Sequence, residues 1–449
     1  MTVLDNSTLS LSIPGDDRYD AARQAFNLTL DQRPAMIAEP TNAEQVAAVV
    51  RFAAAQGYRV APQATGHNAA PLGSLEDTVL LKTRAMQGVE IDVAARRARV
   101  LAGSKWEQVT PRASELGLAA LHGSSPDVGV VGYSLGGGMG WYARKHGLQT
   151  NSVTAIELVN AGGELIRVDH DTEPELFWAL RGGGGNFGVV TAIEFDLFPL
   201  EQVYAGTLFF PFERASEVMH AWHEWTDGTP DEVTSTGKLL QFPPLPEIPE
   251  PVRGKSFTVV SAAYLGDEAE GAALMAPLRE LGPVMDTFAM VPPVGLSELA
   301  MDPPDPVPYA STSQLLRELP ASAIDDLVEA VGPGSDSRLV MAELRQTGGA
   351  LSRTAEHHGA LASLEGRYAQ FAVGVVMDEA TAVASNEQLG AAKAAIERHQ
   401  VGQYLNFAES ATDLRDAFAA EAYARLQAAK ASYDPEGRFQ ANHEVTAAA

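Results

Sequence analysis

The residues of this chain best placed to do chemistry are a histidine and a glycine side by side where a strand should end. Pro62 to Gly73 reads Pro-Gln-Ala-Thr-Gly-His-Asn-Ala-Ala-Pro-Leu-Gly. A tight loop there can bring the N–H groups of Ala64, Thr65, Gly66, His67 and Asn68 up to a pyrophosphate and leave the imidazole of His67 facing the ring of a bound cofactor. A second segment, Gly123 to Gly140, reads Gly-Ser-Ser-Pro-Asp-Val-Gly-Val-Val-Gly-Tyr-Ser-Leu-Gly-Gly-Gly-Met-Gly. Its backbone is too permissive for an ordinary buried helix, so something bulky can lie against the main chain. Three groups could move a proton beside such a ring: Tyr404, Tyr142 and Glu343, the last sharing a strand face with Arg345. Each has a plainer reading. A histidine after a glycine is commonly a satisfied loop residue, the run Gly136, Gly137, Gly138, Gly140 can serve close helix packing, and Glu343 with Arg345 can be an exposed cross-strand pair.

The elements that position these loops are legible around them. Thr41 and Glu44 read as a capping box opening a helix that carries Val46, Val49, Val50 and Ala53 and stops at Gly57. A strand from Arg59 follows, so the glycine–histidine loop sits at a strand end. Val79 to Lys82 and Arg97 to Leu101 are further short strands, and Ser104 with Glu107 reads as a second capping box, before a helix ending at Gly117. Val153 to Val159 and Leu165 to Val168 form a hairpin through Asn160 to Glu164. A helix starts at Pro174, and Val189 to Phe198 alternates as a strand. Beyond residue 200 the texture changes. Proline clusters at Phe242 to Val252 and Asp302 to Pro308 read as loops among strands at Phe257 to Tyr264, Leu339 to Arg345 and Tyr368 to Met377 and helices at Glu213 to Thr226 and Ala380 to Gln400.

With 449 residues, two domains are expected, because single cores stop growing at roughly 250–300 residues. The net charge of −26 opposes nucleic acid and anionic lipid as partners and leaves neutral or cationic small molecules. The chain has no cysteine, which removes disulfides, thiolate nucleophiles, cysteine-ligated metals and any cysteinyl cofactor bond together. No metal site is expected. Met1 to Asp16 does not read as a leader and no stretch reads as a membrane span, so a cytoplasmic location is expected. A nicotinamide-binding Rossmann fold is the rival for any glycine cluster, but Gly136 to Gly140 lies late and lacks the acidic residue about twenty positions on.

The two glycine segments, with Trp141 to Leu148, Glu175 to Thr191, Tyr404-Leu405-Asn406-Phe407 and Tyr433 to Asn442, resemble the FAD-linked oxidoreductases of the vanillyl-alcohol oxidase superfamily, in its berberine-bridge-enzyme-like branch. The resemblance covers nearly the whole chain. It implies an α+β fold in which a PCMH-type FAD-binding domain of two subdomains is built from residues 1–200 and 404–449. An α+β substrate domain, an antiparallel sheet covered by helices, is inserted over 201–403. It also implies that His67 carries the flavin through its 8α-methyl carbon, raising the flavin potential. Ser125 stands where many relatives attach a second bond through cysteine, so a singly attached FAD is expected. Gln63 stands where the family often has arginine, which assigns the pyrophosphate charge to the N–H groups of Ala64 to Asn68 and of Val128 to Gly132, Gly129 included, with Thr65 and Ser124 helping. Gly182 to Gly185 either shape a turn or bring cofactor contacts around Gly188 and Val190. Tyr404 and Asn406 are placed near the flavin, while Phe407 stands where relatives use a tyrosine base. The base is therefore left to Tyr404, Glu343 or Tyr142, or is dispensed with if an amine arrives neutral.

The expected activity is hydride transfer from a C–H beside oxygen or nitrogen of an alcohol, sugar or amine to flavin N5, with molecular oxygen as reoxidant. The alternative is a flavin-containing protein with a binding or non-redox role. Trp222, Trp225 and Phe371 could line the roof over the flavin.

Overall fold

The computed structural model describes residues 9–246, 248–303 and 305–447. Residues 1–8, half of the stretch read above as lacking a leader, lie outside the described residues.

Helix Ala43–Gln56 buries Val46, Val49, Val50 and Ala53 on one stripe and ends at Gly57, whose φ of 78° closes it in the left-handed region. Its cap is Asn42 rather than Thr41: the Asn42 side chain accepts from the Gln45 N–H, while the Thr41 N–H and hydroxyl donate to the Gln45 side chain. The next helix is likewise displaced by one residue. It runs Trp106–Glu115 from Lys105, whose backbone N–H donates to the Gln108 side chain, while the Ser104 hydroxyl is taken by the Gly88 backbone.

Three of the four sheets among the described residues carry the fold, the fourth being a two-stranded pair. In the first, the strands lie in the order Ser10–Ser12, Met36–Glu39, Thr78–Lys82, Arg59–Gln63, the last three parallel. The C-terminal segment returns to its edge, where the Val60 N–H donates to the Arg438 carbonyl and the Gln440 N–H to that of Val60. A five-stranded antiparallel sheet follows in the order Val89–Asp92, Arg97–Leu101, Val189–Asp196, Val153–Val159, Leu165–Asp169. Helix Ala420–Tyr433 lies against Pro174–Gly183.

The third sheet is a nine-stranded antiparallel one. Three of its inner strands, Val203–Pro211, Val233–Gln241 and Tyr309–Leu316, escape a reading of the sequence. The reason is visible in Val233–Gln241: eight of its nine residues are buried, so Thr234, Ser235, Thr236 and Lys238 sit inside and no alternation survives. One face packs on helices Ala215–Asp227, Ala321–Val331 and Glu379–Ala394. Trp222 belongs to that helical layer, fully buried with its indole N–H on Ser235, and Trp225 donates to the Leu274 carbonyl. Both tryptophans are core, as their helical spacing allowed; of the three roof candidates only Phe371 faces the other way.

Candidate active site

Between that other face and the two smaller sheets runs a cavity of about 620 Å³. Strand Arg59–Gln63 ends at its rim and delivers the loop 64–68. The turn depends on Gly66, whose φ is +82° and whose missing Cβ would come within 3.0 Å of Ala25. Ala64, Thr65, Gly66, His67, Asn68, Ser124, Ser125, Val128, Gly129, Gly132, Gly136, Gly188, Val190, Tyr404 and Asn406 all line the cavity, as do Gly182 to Gly185.

Gly137, Gly138 and Gly140 were expected there too but lie behind the wall. A Cβ on Gly140 would sit 1.8 Å from the His122 carbonyl oxygen, and one on Gly138 2.6 Å from Gln149 Cβ. On Gly137 it would meet Leu361 Cδ2 at 2.9 Å. Their small size serves close packing beneath the site. Gly132 and Gly184 differ, since a Cβ on either would meet nothing within 4 Å.

The cavity suits FAD on two counts. The N–H groups of residues 65–68 donate to no acceptor among the described residues, as a loop that cradles a pyrophosphate requires. The open spaces over Gly132 and Gly184 let a large planar group approach the main chain. The position lacking the family arginine is not idle, for Gln63 accepts from the buried Lys82 ammonium at 2.6 Å and donates to Gln32.

His67 stacks on Phe26 with centroids 3.7 Å apart, and its Nε2 is 3.0 Å from Asp127 Oδ2. The other Asp127 oxygen accepts from the Ser125 hydroxyl at 3.0 Å. Burial opposes ionisation of Asp127, yet the interactions with His67 and Ser125 hold its carboxyl below the ordinary value. A neutral imidazole that donates Nε2–H to this carboxylate keeps its lone pair on Nδ1.

The three candidate bases fare differently. Tyr142 is in the core, burial pushes its pKa up, and it does not reach the cavity. Tyr404 is on the wall, but its hydroxyl oxygen accepts from the Gly138 N–H at 2.8 Å and from Asn406 at 3.1 Å, and burial pushes it up to about 12. Glu343 and Arg345 do share a face, but as a buried ion pair rather than an exposed one. Glu343 lies 3.1 Å from Lys238 Nζ and 2.9 Å from Arg345, one layer behind the wall. Burial works against its ionisation, but Arg345 and Lys238 outweigh it and hold it below the usual range. Such a clamped carboxylate is a poor base. Glu343→Gln is expected to leave two buried cations undercompensated and to cost about 3–5 kcal/mol, read as a fall in the thermal midpoint.

A carboxyl on the wall was not singled out from the sequence. Glu409, two residues beyond Phe407, accepts from the Tyr309 hydroxyl at 2.6 Å, and that hydroxyl is 3.4 Å from the His67 carbonyl oxygen. Asn27 approaches the other Glu409 oxygen at 3.4 Å. Burial pushes Glu409 up to about 7, against the hydrogen bonds from Tyr309 and Asn27. Tyr309, pushed up by burial and by Glu409, stays a donor. The signal available in the sequence was an acid close to the missing tyrosine; its partner lies 100 residues away.

The family described as an FAD binding domain matches residues 34–169. (R)-6-hydroxynicotine oxidase of Paenarthrobacter nicotinovorans is 28% identical over 96% of this chain and 95% of its own. Among solved structures, a variant of BBE-like 1 from Physcomitrella patens superposes with a TM-score of 0.85 at 20% identity, covering 99% of this chain and 98% of the other. Glucooligosaccharide oxidase from Acremonium strictum, described with a 6-S-cysteinyl, 8α-N1-histidyl FAD, does so with 0.82 at 21% identity over 98% of both chains. Residues 34–169 thus match an FAD binding domain, and over nearly its whole length the chain is similar to an FAD-linked oxidase and shares the fold of a berberine-bridge-enzyme-like protein.

Proposed function

We propose that this enzyme is an oxidase that takes a hydride from a carbon bearing oxygen or nitrogen on a small organic molecule, with FAD held by one covalent bond to His67. The observation that carries the reading is that one cavity joins the His67 loop, the large sheet at Tyr309 and a titratable carboxyl at Glu409, which hydrogen-bonds Tyr309. FAD supplies the hydride acceptor and, through molecular oxygen, its reoxidation to give hydrogen peroxide. The protein supplies the rest. His67 presents Nδ1, Asp127 fixes the tautomer, backbone N–H groups 65–68 meet the pyrophosphate, and Glu409, relayed to Tyr309, takes the proton from the substrate heteroatom. We read residues 1–200 and 404–449 as the FAD-binding domain and 201–403 as the domain that selects substrate. The oxidase activities of the relatives support the assignment.

His67 would hold the FAD through Nδ1, and FAD would itself take up the two electrons that this bond formation liberates, with oxygen as their final acceptor. With no cysteine in the chain, a second bond of the glucooligosaccharide oxidase type is chemically excluded.

A second reading is favoured by Phe407, which cannot accept a proton: a flavin protein without redox turnover. Anaerobic addition of amines and alcohols separates the two. The purified protein is expected to be yellow, to lose its oxidised flavin absorbance with a suitable compound and to regain it in air with peroxide release. A flavin that photoreduces but is bleached by no compound of either class supports the second reading.

A further inference from the structure

The half of the cavity furnished by the large sheet and its proline-rich loops is apolar, with Phe242, Leu245, Ile248, Met341, Phe371 and Val373 on its wall. Its polar groups cluster at the His67 end. Glu409 and Tyr309 stand there, and Asp302, an exposed carboxyl that lines the same cavity, is close enough to act electrostatically on Tyr309. No lysine or arginine lines the cavity among the described residues; Lys238 and Arg345 lie behind the wall, paired with Glu343, and act on Asp302 from there.

We propose that the substrate is a compact lipophilic amine, its nitrogen seated between Asp302 and Glu409 and its apolar body against the Phe242, Met341 and Phe371 wall. This rests on the oxidase reading above and names its substrate class. Two physical arguments select it. A sugar would bring many hydroxyls to a wall that can answer few of them, each unanswered one costing about 1–3 kcal/mol. A carboxylate or phosphate would face two acids with no lysine or arginine on the wall to hydrogen-bond it, whereas an ammonium is complementary to both. The net charge of −26 draws cations toward the molecule in the same sense.

The chemistry balances. The ammonium proton passes to a wall carboxylate and the C–H bond next to nitrogen breaks, with both electrons going to the flavin. The C–N bond becomes C=N, and molecular oxygen takes the two electrons with two protons to leave hydrogen peroxide.

The test uses the purified holoenzyme and reads perturbation of the bound flavin spectrum by N-methylbenzylamine, benzyl alcohol, benzoate and cellobiose. The amine is expected to bind roughly tenfold or more tightly than the other three, the worth of one charge-assisted hydrogen bond. In the double variant Asp302→Asn, Glu409→Gln that preference is expected to disappear while benzyl alcohol binding is kept. Tighter binding of cellobiose or benzoate, an amine no better than benzyl alcohol, no perturbation by the amine, or a preference unchanged in the double variant each overturns the proposal. Photoreduction followed by air is run on the same sample. A flavin that oxygen does not reoxidise defeats the oxidase reading and leaves the ligand comparison standing as a separate result.

Discussion

Replacing His67 with alanine is expected to move all of the flavin into the supernatant on acid precipitation, whereas the parent protein should keep it as a fluorescent band on a denaturing gel. The expectation follows from the ring's surroundings. Phe26 fixes the plane of the imidazole, Asp127 occupies Nε2, and the nitrogen left for bond formation is Nδ1. Asp127→Asn tests the tautomer argument separately. An amide can donate to Nε2 and so place the ring proton on Nδ1, which removes the lone pair that must attack. Attachment in that variant, followed as acid-stable flavin after adding FAD to apoprotein, should slow by roughly 10²-fold or more, with reversible FAD binding retained. Unchanged acid-stable flavin in both variants would mean the tether is elsewhere.

Glu409→Gln should lower the anaerobic rate of flavin reduction by roughly 10²-fold, the usual worth of a positioned general base. The pH profile carries the sharper signature. Burial lifts this carboxyl from 4.5 to about 7, so it is protonated below that value and able to accept a proton above it. Reduction should therefore accelerate as pH rises through about 7 and then level off; the glutamine variant should lack this inflection. An inflection that survives the substitution belongs to another group. The same shift has a sign for stability. Between pH 4.5 and about 7 the unfolded chain releases the proton while the folded one keeps it, so stability due to this group falls with rising pH. The glutamine variant should thus gain thermal stability over the parent above neutrality and show little difference near pH 4.

Much of the positioning machinery could be read before any coordinates. Strand Arg59–Gln63, the stop at Gly57, the hairpin through Asn160 to Glu164 and the glycine–histidine turn at a strand end are local, set by capping, by positive φ and by alternation within a few residues. What failed also has local causes. The helix starts slipped by one residue because Asn42 capped in place of Thr41, and because Ser104 was held by a tertiary partner, the Gly88 backbone. The strands Val233–Gln241 and Tyr309–Leu316 carry buried threonine, serine, glutamine and lysine, so polarity misreports their burial.

By itself, the sequence determined that His67 would stand in a tight loop at a strand end, that no thiol could share its task, and that the base used by relatives is missing at Phe407. Only the tertiary structure decided which groups replace that base and what they face. Asn27 meets Tyr309 across 282 positions and Tyr309 meets Glu409 across 100, while Lys238 and Arg345 pair with Glu343 behind the cavity wall rather than lining it. Local periodicity carries no information about such pairings. They arise when the large sheet closes over the two smaller ones and burial turns ordinary carboxyls into groups that titrate where catalysis needs them.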